Sequence, residues 1–301
     1  MEPSGVLSVN KQEGMTSHDV VNRIRRLYGT KKVGHTGTLD PLATGVLTVL
    51  IGRAAKAAEY LVADSKEYIA TLRLGITTDT EDITGNILSQ CDNIPSFEHL
   101  KTVVAGFKGD IMQIPPMYSA LKVDGQKLCD LARKGVSIER KARPITIFSI
   151  DVKPTDTPTD YILSVACSSG TYIRTLCADI GAALGCGGVM ATLCRSRAGD
   201  FSLDEAHTLG ELEEMTFEER TALLLPTDKL FIALPEVRLP AFFEKLSRSG
   251  CEIYQKKIRT DFTIGERVRL ATADGRFYAL GEVREYENGS AIKSIKIFDL
   301  E

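Results

Sequence analysis

No apolar run in this sequence approaches the roughly 18 consecutive residues of a membrane span, which excludes a chain threaded through a bilayer by helices. The opening stretch, MEPSGVLSVNKQEG, lacks a basic region followed by an apolar one, so no signal peptide is predicted. The seven cysteines (Cys91, Cys129, Cys167, Cys177, Cys186, Cys194 and Cys251) include no CxxC pair and are widely spaced. They read as reduced, mostly buried thiols of a cytoplasmic protein rather than a disulfide framework. The histidines His18, His35, His99 and His207, taken with those cysteines, show none of the tight pair spacings of zinc sites. Neither an internal repeat nor a low-complexity run is visible. Net positive charge is also absent: the formal charge is −3.

What is present is ordinary in bulk and uneven in distribution. A chain of 301 residues, 43% hydrophobic and 26% charged, has material for a sizeable core in one large domain or two. Lys11, Arg23, Arg25, Arg26, Lys31, Lys32, Arg53 and Lys56 face only Glu13, Asp19 and Asp40 over the same stretch. A second basic cluster holds Arg133, Lys134, Arg140, Lys141 and Arg143 against Glu139, whereas Asp204 to Glu244 is acidic. Local field steers a charged partner more than total charge does. Each cluster alone is as well explained by a solvated surface; two in one half favour a nucleic-acid face.

Along the chain, Val6 to Val9 reads as a strand. Thr16 or Ser17 caps a helix carrying Val20, Val21, Ile24, Leu27 and Tyr28 on one stripe, and Gly29 ends it. Val33 to Gly45 reads as a loop, VLTVLI as an apolar segment ending at Gly52, and GRAAKAAEYL as a helix. YIATLRL, Tyr68 to Leu74, alternates as a strand should. Asp79 to Gly85 is turn-rich, Phe97 to Phe107 helical, Pro115 to Tyr118 rigid and extended, and Leu121 to Gly135 partly helical. Ile145 to Val152 and Tyr161 to Cys167 are predicted strands. In SSGTYIRTLCADIGAALG, residues Ile173, Leu176, Cys177, Ile180 and Leu184 form one helical stripe, with Tyr172 and Arg174 flanking it near the N-terminus. A cation there is opposed by the helix dipole, which leaves two readings: a specific anionic partner, or an arginine lying along the surface. The last 65 or so residues show short alternating strands split by Asp274-Gly275 and Asn288-Gly289, both hairpin signals. The domain boundary is expected between Pro226 and Pro240.

The segment VGHTGTLDPLATG, Val33 to Gly45, carries three glycines, one histidine and the single acid Asp40 followed by Pro41. Proline holds Asp40 out of the α region. The surrounding GTKKVGHT has the glycine spacing of a phosphate-binding loop, but His35 stands where that loop needs lysine and a helix precedes it. Glycoside hydrolysis wants two carboxylates, and Asp40 has no neighbour to serve. A solitary carboxylate can instead act as a nucleophile that attacks carbon and later leaves. It needs a cation to hold it, for which Arg174 is a candidate. It also needs close approach of substrate, which Gly34, Gly37 and Gly45 permit. Asp40 as a plain turn former before Pro41 stays an alternative.

KKVGHTGTLDPLATGVLTVLIGRAAK resembles the signature of the TruB family of pseudouridine synthases nearly position by position. Further family-like blocks are NKQEGMTSHDVV, KEYIATLRLGITTDTEDITG, QIPPMYSALKVDGQKLCDLARKG, ARPI and CSSGTYIRTLCADIG, in family order across residues 5 to 201. The resemblance implies an α+β architecture: the pseudouridine synthase fold, a mixed, largely antiparallel sheet flanked by helices, over residues 1–232. Residues 233–301 look, more loosely, like a small β-rich PUA-type RNA-binding domain. It implies isomerisation of uridine to pseudouridine at position 55 in the T-loop of tRNA, with no cofactor and no metal, by a cytoplasmic monomer. Asp40 falls on the catalytic aspartate, Arg174 on the arginine that pairs with it, and Tyr68 on the tyrosine that stacks on the target base and helps remove its C5 proton. Tyr172 lines the same pocket, and His35 matches the histidine that fills the space of the flipped base. Lys11, Lys56 and PPMYSALK match parts that contact RNA or shape the wall of the site.

Leu193 opens an LRR-like run, Leu193-Cys194-Arg195, also placed with the substrate-contacting positions; Cys194 stands there for an arginine, which removes one phosphate contact. Gln12 stands where proline usually follows the lysine, and Ala55 replaces a common threonine. Whether Asp40 attacks base C6 or sugar C1′ is left open. Two other readings compete: a tRNA-binding folding chaperone, which has no need of Asp40, and a related synthase acting on a different uridine.

Overall fold

The computed structural model describes residues 2–61, 65–119, 121–123, 125–136 and 138–299. Strand β1 (Gly5–Lys11) leads to helix α1 (Ser17–Leu27), then β2 (Val33–His35) and β3 (Thr44–Ile51). β4 (Lys66–Leu74) is followed by the short pair β5 (Ile76–Thr78) and β6 (Ile87–Gln90). Helix α2 (Phe97–Ala105), β7 (Gly109–Gln113), the small hairpin β8 (Lys122–Val123) and β9 (Gln126–Lys127), and helix α3 (Leu128–Arg133) come next. β10 (Arg143–Pro154), β11 (Asp160–Cys167), α4 (Ile173–Ala183), β12 (Gly188–Ala198), β13 (Phe201–Ser202) and β14 (His207–Thr208) complete the larger unit.

Among the described residues ten of these strands build one sheet in the order β14-β1-β3-β12-β4-β11-β10-β7, with β2 on β3 and β13 on β12, while β5 with β6 and β8 with β9 form separate two-stranded sheets. It is mixed: β1 with β14 and β12 with β3 are parallel, and the other pairs are antiparallel. β3 is buried along nearly its whole length, as its unbroken apolar run requires of a strand covered on both faces. β4 alternates buried and accessible residues, matching the period of YIATLRL. Helix α1 starts in a capping box: Thr16 Oγ1 accepts from the Asp19 amide at 3.1 Å, and the Asp19 carboxylate accepts from the Thr16 amide at 2.9 Å. Helix α4 packs on β12 through glycine. A Cβ on Gly181 would sit 2.1 Å from the Gly188 nitrogen, so only glycine lets the two backbones meet.

A second sheet of five strands forms the C-terminal β-rich domain. It comprises β15 (Glu236–Arg238), β16 (Ile253–Tyr254), β17 (Arg267–Ala271), β18 (Phe277–Arg284) and β19 (Ala291–Ile297), in the order β15-β17-β18-β19-β16. Asp274-Gly275 and Asn288-Gly289 lie in its two hairpin turns, with φ of 91° and 106° at the glycines. Phe231, Leu280 and Phe298 pack with Val6, Val46 and Leu50, joining this domain to the main sheet.

Three expectations change. Val33 to Gly45 is not all loop: its ends are β2, paired with β3, and the first residues of β3, so the free loop is the segment between His35 and Thr44. GRAAKAAEYL forms a 3-10 helix over Gly52–Glu59 rather than an α-helix. β12, the strand at the centre of the sheet, was not anticipated at all. Of the thiols, Cys167, Cys177 and Cys186 are buried, Cys91 and Cys194 partly so, and Cys251 is exposed.

Candidate active site

The loop between β2 and β3 is fixed from beneath by the start of the chain. The Ser17 hydroxyl, in the first turn of α1, donates to the Leu39 carbonyl at 3.0 Å and accepts from the Leu39 amide at 2.8 Å. The Pro41 carbonyl accepts from the Gly14 amide at 2.8 Å and from Lys11 Nζ at 3.3 Å. Lys11 is completely buried and also donates to the Gln12 and Met15 carbonyls. Burial pushes its amine down to about 8, against the raising effect of the Asp40 charge. Residues on both sides of Asp40 are therefore tied down, while the Asp40 side chain stays 39% exposed.

Arg174 reaches this carboxylate from the first turn of α4. Its Nη2 lies 3.0 Å from Asp40 Oδ2, and its side chain is only 6% exposed. The surface-arginine reading of the sequence is therefore wrong. Nη2 also donates to the Tyr118 carbonyl at 2.7 Å, and Nη1 donates to the Thr80 carbonyl at 3.1 Å. A second carboxylate, Asp82, sits 3.6 Å from Nη1 and is 10% exposed. Asp82 is itself fixed by the Thr84 amide and by the Thr80 and Thr84 hydroxyls, all donating to its Oδ1. Glu81 beside it has a left-handed φ of 64°, and its carboxylate accepts from the Thr175 hydroxyl at 2.5 Å. Burial pushes the Glu81 carboxyl up from its ordinary value. Opposite charges on one buried guanidinium fix the direction of both carboxylates.

Tyr68 stands on β4 with 8% of its surface exposed. Burial raises its hydroxyl, and the charge of Arg195 opposes part of that rise. Tyr172 caps α4 with its backbone: its amide donates to Gln113 Oε1 at 2.8 Å, and its carbonyl accepts from Gln113 Nε2 at 3.1 Å. The nearby Asp40 charge raises the Tyr172 hydroxyl, after burial, the larger cause. His35, on β2, is partly buried; burial and then the Arg195 charge push its imidazole down. Its Nδ1 is enclosed without a hydrogen-bond partner among the described residues. Asp40, Arg174, Tyr68 and Tyr172 thus share one electrostatic neighbourhood, to which His35 is linked through Arg195. It joins an anionic oxygen, a buried counter-cation and aromatic surface.

A protein of Alkaliphilus oremlandii (strain OhILAs) bearing the name tRNA pseudouridine synthase B is 44% identical over 299 residues, covering 99% of this chain and 98% of that protein. This chain belongs to the TruB family. The family description "TruB family pseudouridylate synthase (N terminal domain)" matches residues 25–173, and "tRNA pseudouridylate synthase B C-terminal domain" matches residues 174–232. A tRNA pseudouridine synthase B of Francisella tularensis subsp. novicida (strain U112) is 41% identical over 298 residues, covering 98% of this chain and 95% of that one. Among solved structures, the crystal structure of a Cbf5-Nop10-Gar1 complex aligns with a TM-score of 0.75 and 27% identity, covering 98% of this chain and 85% of that one. The TruB assignment, the pseudouridine synthase fold and the pseudouridylate synthase activity follow.

In this TruB-family chain the other expected contact residues are spread more widely. Lys56 is exposed on the 3-10 helix after β3. Leu193 is 8% exposed on β12, opposite Ala70 of β4 and in the same core cluster as Tyr68. Lys11 is enclosed beneath the loop rather than presented on the surface. Of the PPMYSALK segment, Ala120 lies outside the described residues. Two members of the site were missed in sequence. Asp82 carried a signal, since Thr80 and Thr84 at two residues either side offer hydroxyls to one carboxylate. Arg195 stood in the LRR-like run, but its burial carried no signal, as a basic residue in an unrecognised strand reads as surface.

Proposed function

We propose that this enzyme converts uridine to pseudouridine at position 55 in the T-loop of tRNA, with Asp40 as nucleophile acting on a flipped-out base. The observation that carries the reading is the Asp40–Arg174 pair at 3.0 Å, in which a partly exposed carboxylate meets a buried guanidinium. The reaction is an isomerisation: the N1–C1′ bond breaks, a C5–C1′ bond forms, C5 loses its proton and N1 gains one. No electrons enter or leave. A carboxylate that attacks carbon and then departs divides this exchange into two steps. Whether its target is base C6 or sugar C1′, Arg174 fixes the direction of attack.

Flipping the base costs a few kcal/mol, and stacking on an aromatic returns about 1–3 kcal/mol, so Tyr68 offsets much of the expense of extrusion. His35 fills the vacated space. The names of the TruB relatives supply tRNA as substrate. A splayed T-loop base suits a reader of unstacked nucleotides, and the β-rich C-terminal domain extends the RNA surface. The protein acts in the cytoplasm as a monomer. Tritium release from C5-labelled uridine in tRNA tests the chemistry directly. Asp40→Asn abolishes release while tRNA binding persists; wild-type release from that variant refutes the nucleophile. Mapping pseudouridine in tRNA from a strain lacking this enzyme tests the position.

A further inference from the structure

Arg195 is among the largest fully buried side chains in the protein, at 2% exposure. Among the described residues no carboxylate lies within ion-pair distance of it. An unpaired buried guanidinium is costly, and an apolar side chain would pack a strand centre with less penalty. Its contacts show what it is placed to do. Nε donates to the Val46 carbonyl at 2.7 Å, and Nη2 donates to the Gly37 carbonyl at 3.0 Å, within the loop that carries Asp40. The Arg195 charge also acts on the Tyr68 hydroxyl, opposing the rise that burial causes there. Its backbone stands between the same two partners: Arg195 pairs with Gly45 of β3 on one side and with Tyr68 of β4 on the other. Gly45, at φ 98°, makes this approach possible, because a Cβ there would lie 2.3 Å from the Arg195 carbonyl oxygen.

We propose that Arg195 is a positioning residue of the reaction, holding the Tyr68 hydroxyl and the Asp40 loop in one rigid frame. The planar fork is suited to this because its donors diverge at fixed angles; a lysine ammonium cannot span the Val46 and Gly37 carbonyls in the same way. The roles divide cleanly. Arg174 orients the Asp40 carboxylate from the front, and Arg195 sets the loop and the tyrosine from behind. The inference rests on the proposed function, since it assumes that the Tyr68 hydroxyl takes part in the chemistry.

The test is a double-mutant cycle in the full-length enzyme, read as the single-turnover rate of tritium release from C5-labelled tRNA. Arg195→Lys is expected to lower that rate about 10-fold or more, with tRNA affinity within about threefold of wild type. Tyr68→Phe lowers it through loss of the hydroxyl alone. The combined variant is expected to fall short of the product of the two losses by about 10-fold, a coupling of about 1.4 kcal/mol. A residue that merely supports the fold gives losses that multiply. Multiplicative losses, or an Arg195→Lys rate equal to wild type, overturn the proposal. Should Arg195→Lys not fold, Arg195→Gln, which keeps an amide donor, carries the same cycle. Wild-type release on tRNA is the control for the proposed function, so additivity in an active background refutes the role of Arg195 alone.

Discussion

Arg174→Met removes the guanidinium that joins Asp40 to Asp82 and leaves a side chain of similar length. The cost follows from burial. Arg174 is 6% exposed and Asp82 10%, so the change strands a buried carboxylate, for which about 3–5 kcal/mol is expected. The Asp40 contact adds at most about 1 kcal/mol to stability, because that carboxylate is 39% exposed. The Thr80 and Tyr118 carbonyls lose donors in the same network, so these losses overlap rather than add. A total near 4 kcal/mol lowers the midpoint of thermal unfolding by about 6 °C in a chain of this size. The effect on rate has a different origin: an undirected nucleophile and a lost preorganised charge cost about 10²–10³-fold. Calorimetry and tritium release, measured at a temperature where the variant is folded, report the two separately. Adding Asp82→Asn to Arg174→Met removes the stranded charge and restores part of the stability and none of the rate. A midpoint within about 3 °C of wild type, together with a rate within threefold, would refute this account of the ion network.

Lys11 predicts a dependence on alkaline pH. Its folded value, about 8, lies below the unfolded value of 10.5, so the unfolded chain holds the extra proton between them and this residue's contribution to stability rises with pH across that window. Below pH 8 the full penalty of about 3 kcal/mol stands. Lys11→Met flattens the slope of unfolding free energy between pH 8 and 10, and an unchanged slope counts against the assignment. Asp179 acts with the opposite sign: burial, then the Glu81 charge, raises it from 3.8 to about 6, so stability falls as pH climbs through that interval. Asp179→Asn therefore raises stability by about 1–3 kcal/mol at pH 7.5 and leaves it nearly unchanged at pH 4, as read by urea unfolding. Gly45→Ala pushes a methyl against the Arg195 carbonyl and is expected to cost about 3 kcal/mol or more, with loss of turnover; a stable, active variant would show that β3 and β12 can separate harmlessly.

The elements legible in the sequence are those whose pattern is set by their own neighbours. YIATLRL alternates because β4 has one covered face, and the α1 cap is visible because Thr16 and Asp19 satisfy each other within one turn. The α4 stripe was also readable, yet the burial of Arg174 was not. Helical phase shows which side faces that helix's own core, but the Thr80 and Tyr118 carbonyls that close over Arg174 come from other segments. β12 was invisible for a related reason: GVMATLCRSRA ends in two arginines, and one of them is enclosed only because β3 and β4 flank it. Three residues of β2 are too few to show a period. The resemblance supplied the pairing of Asp40 with Arg174 that spacing alone could only offer as a candidate. It included Asp82 and Arg195 in its blocks but gave neither its place in the site, which surfaced from distances and burial.

The clamp on the Asp40 loop joins Gly37 to a residue 158 positions later. At about 5–20 residues per second of synthesis, the loop waits roughly 8 to 30 s on the ribosome before Arg195 is added. Ser17 and Lys11, already made, can shape the loop in the meantime, but neither its orienting cation nor its rear brace yet exists. A chain released early, before α4 and β12, carries the aspartate without the groups that aim it. Dividing the site between distant parts of the chain thus makes chemical competence a late event in the life of each molecule, and an unfinished copy meets tRNA unarmed.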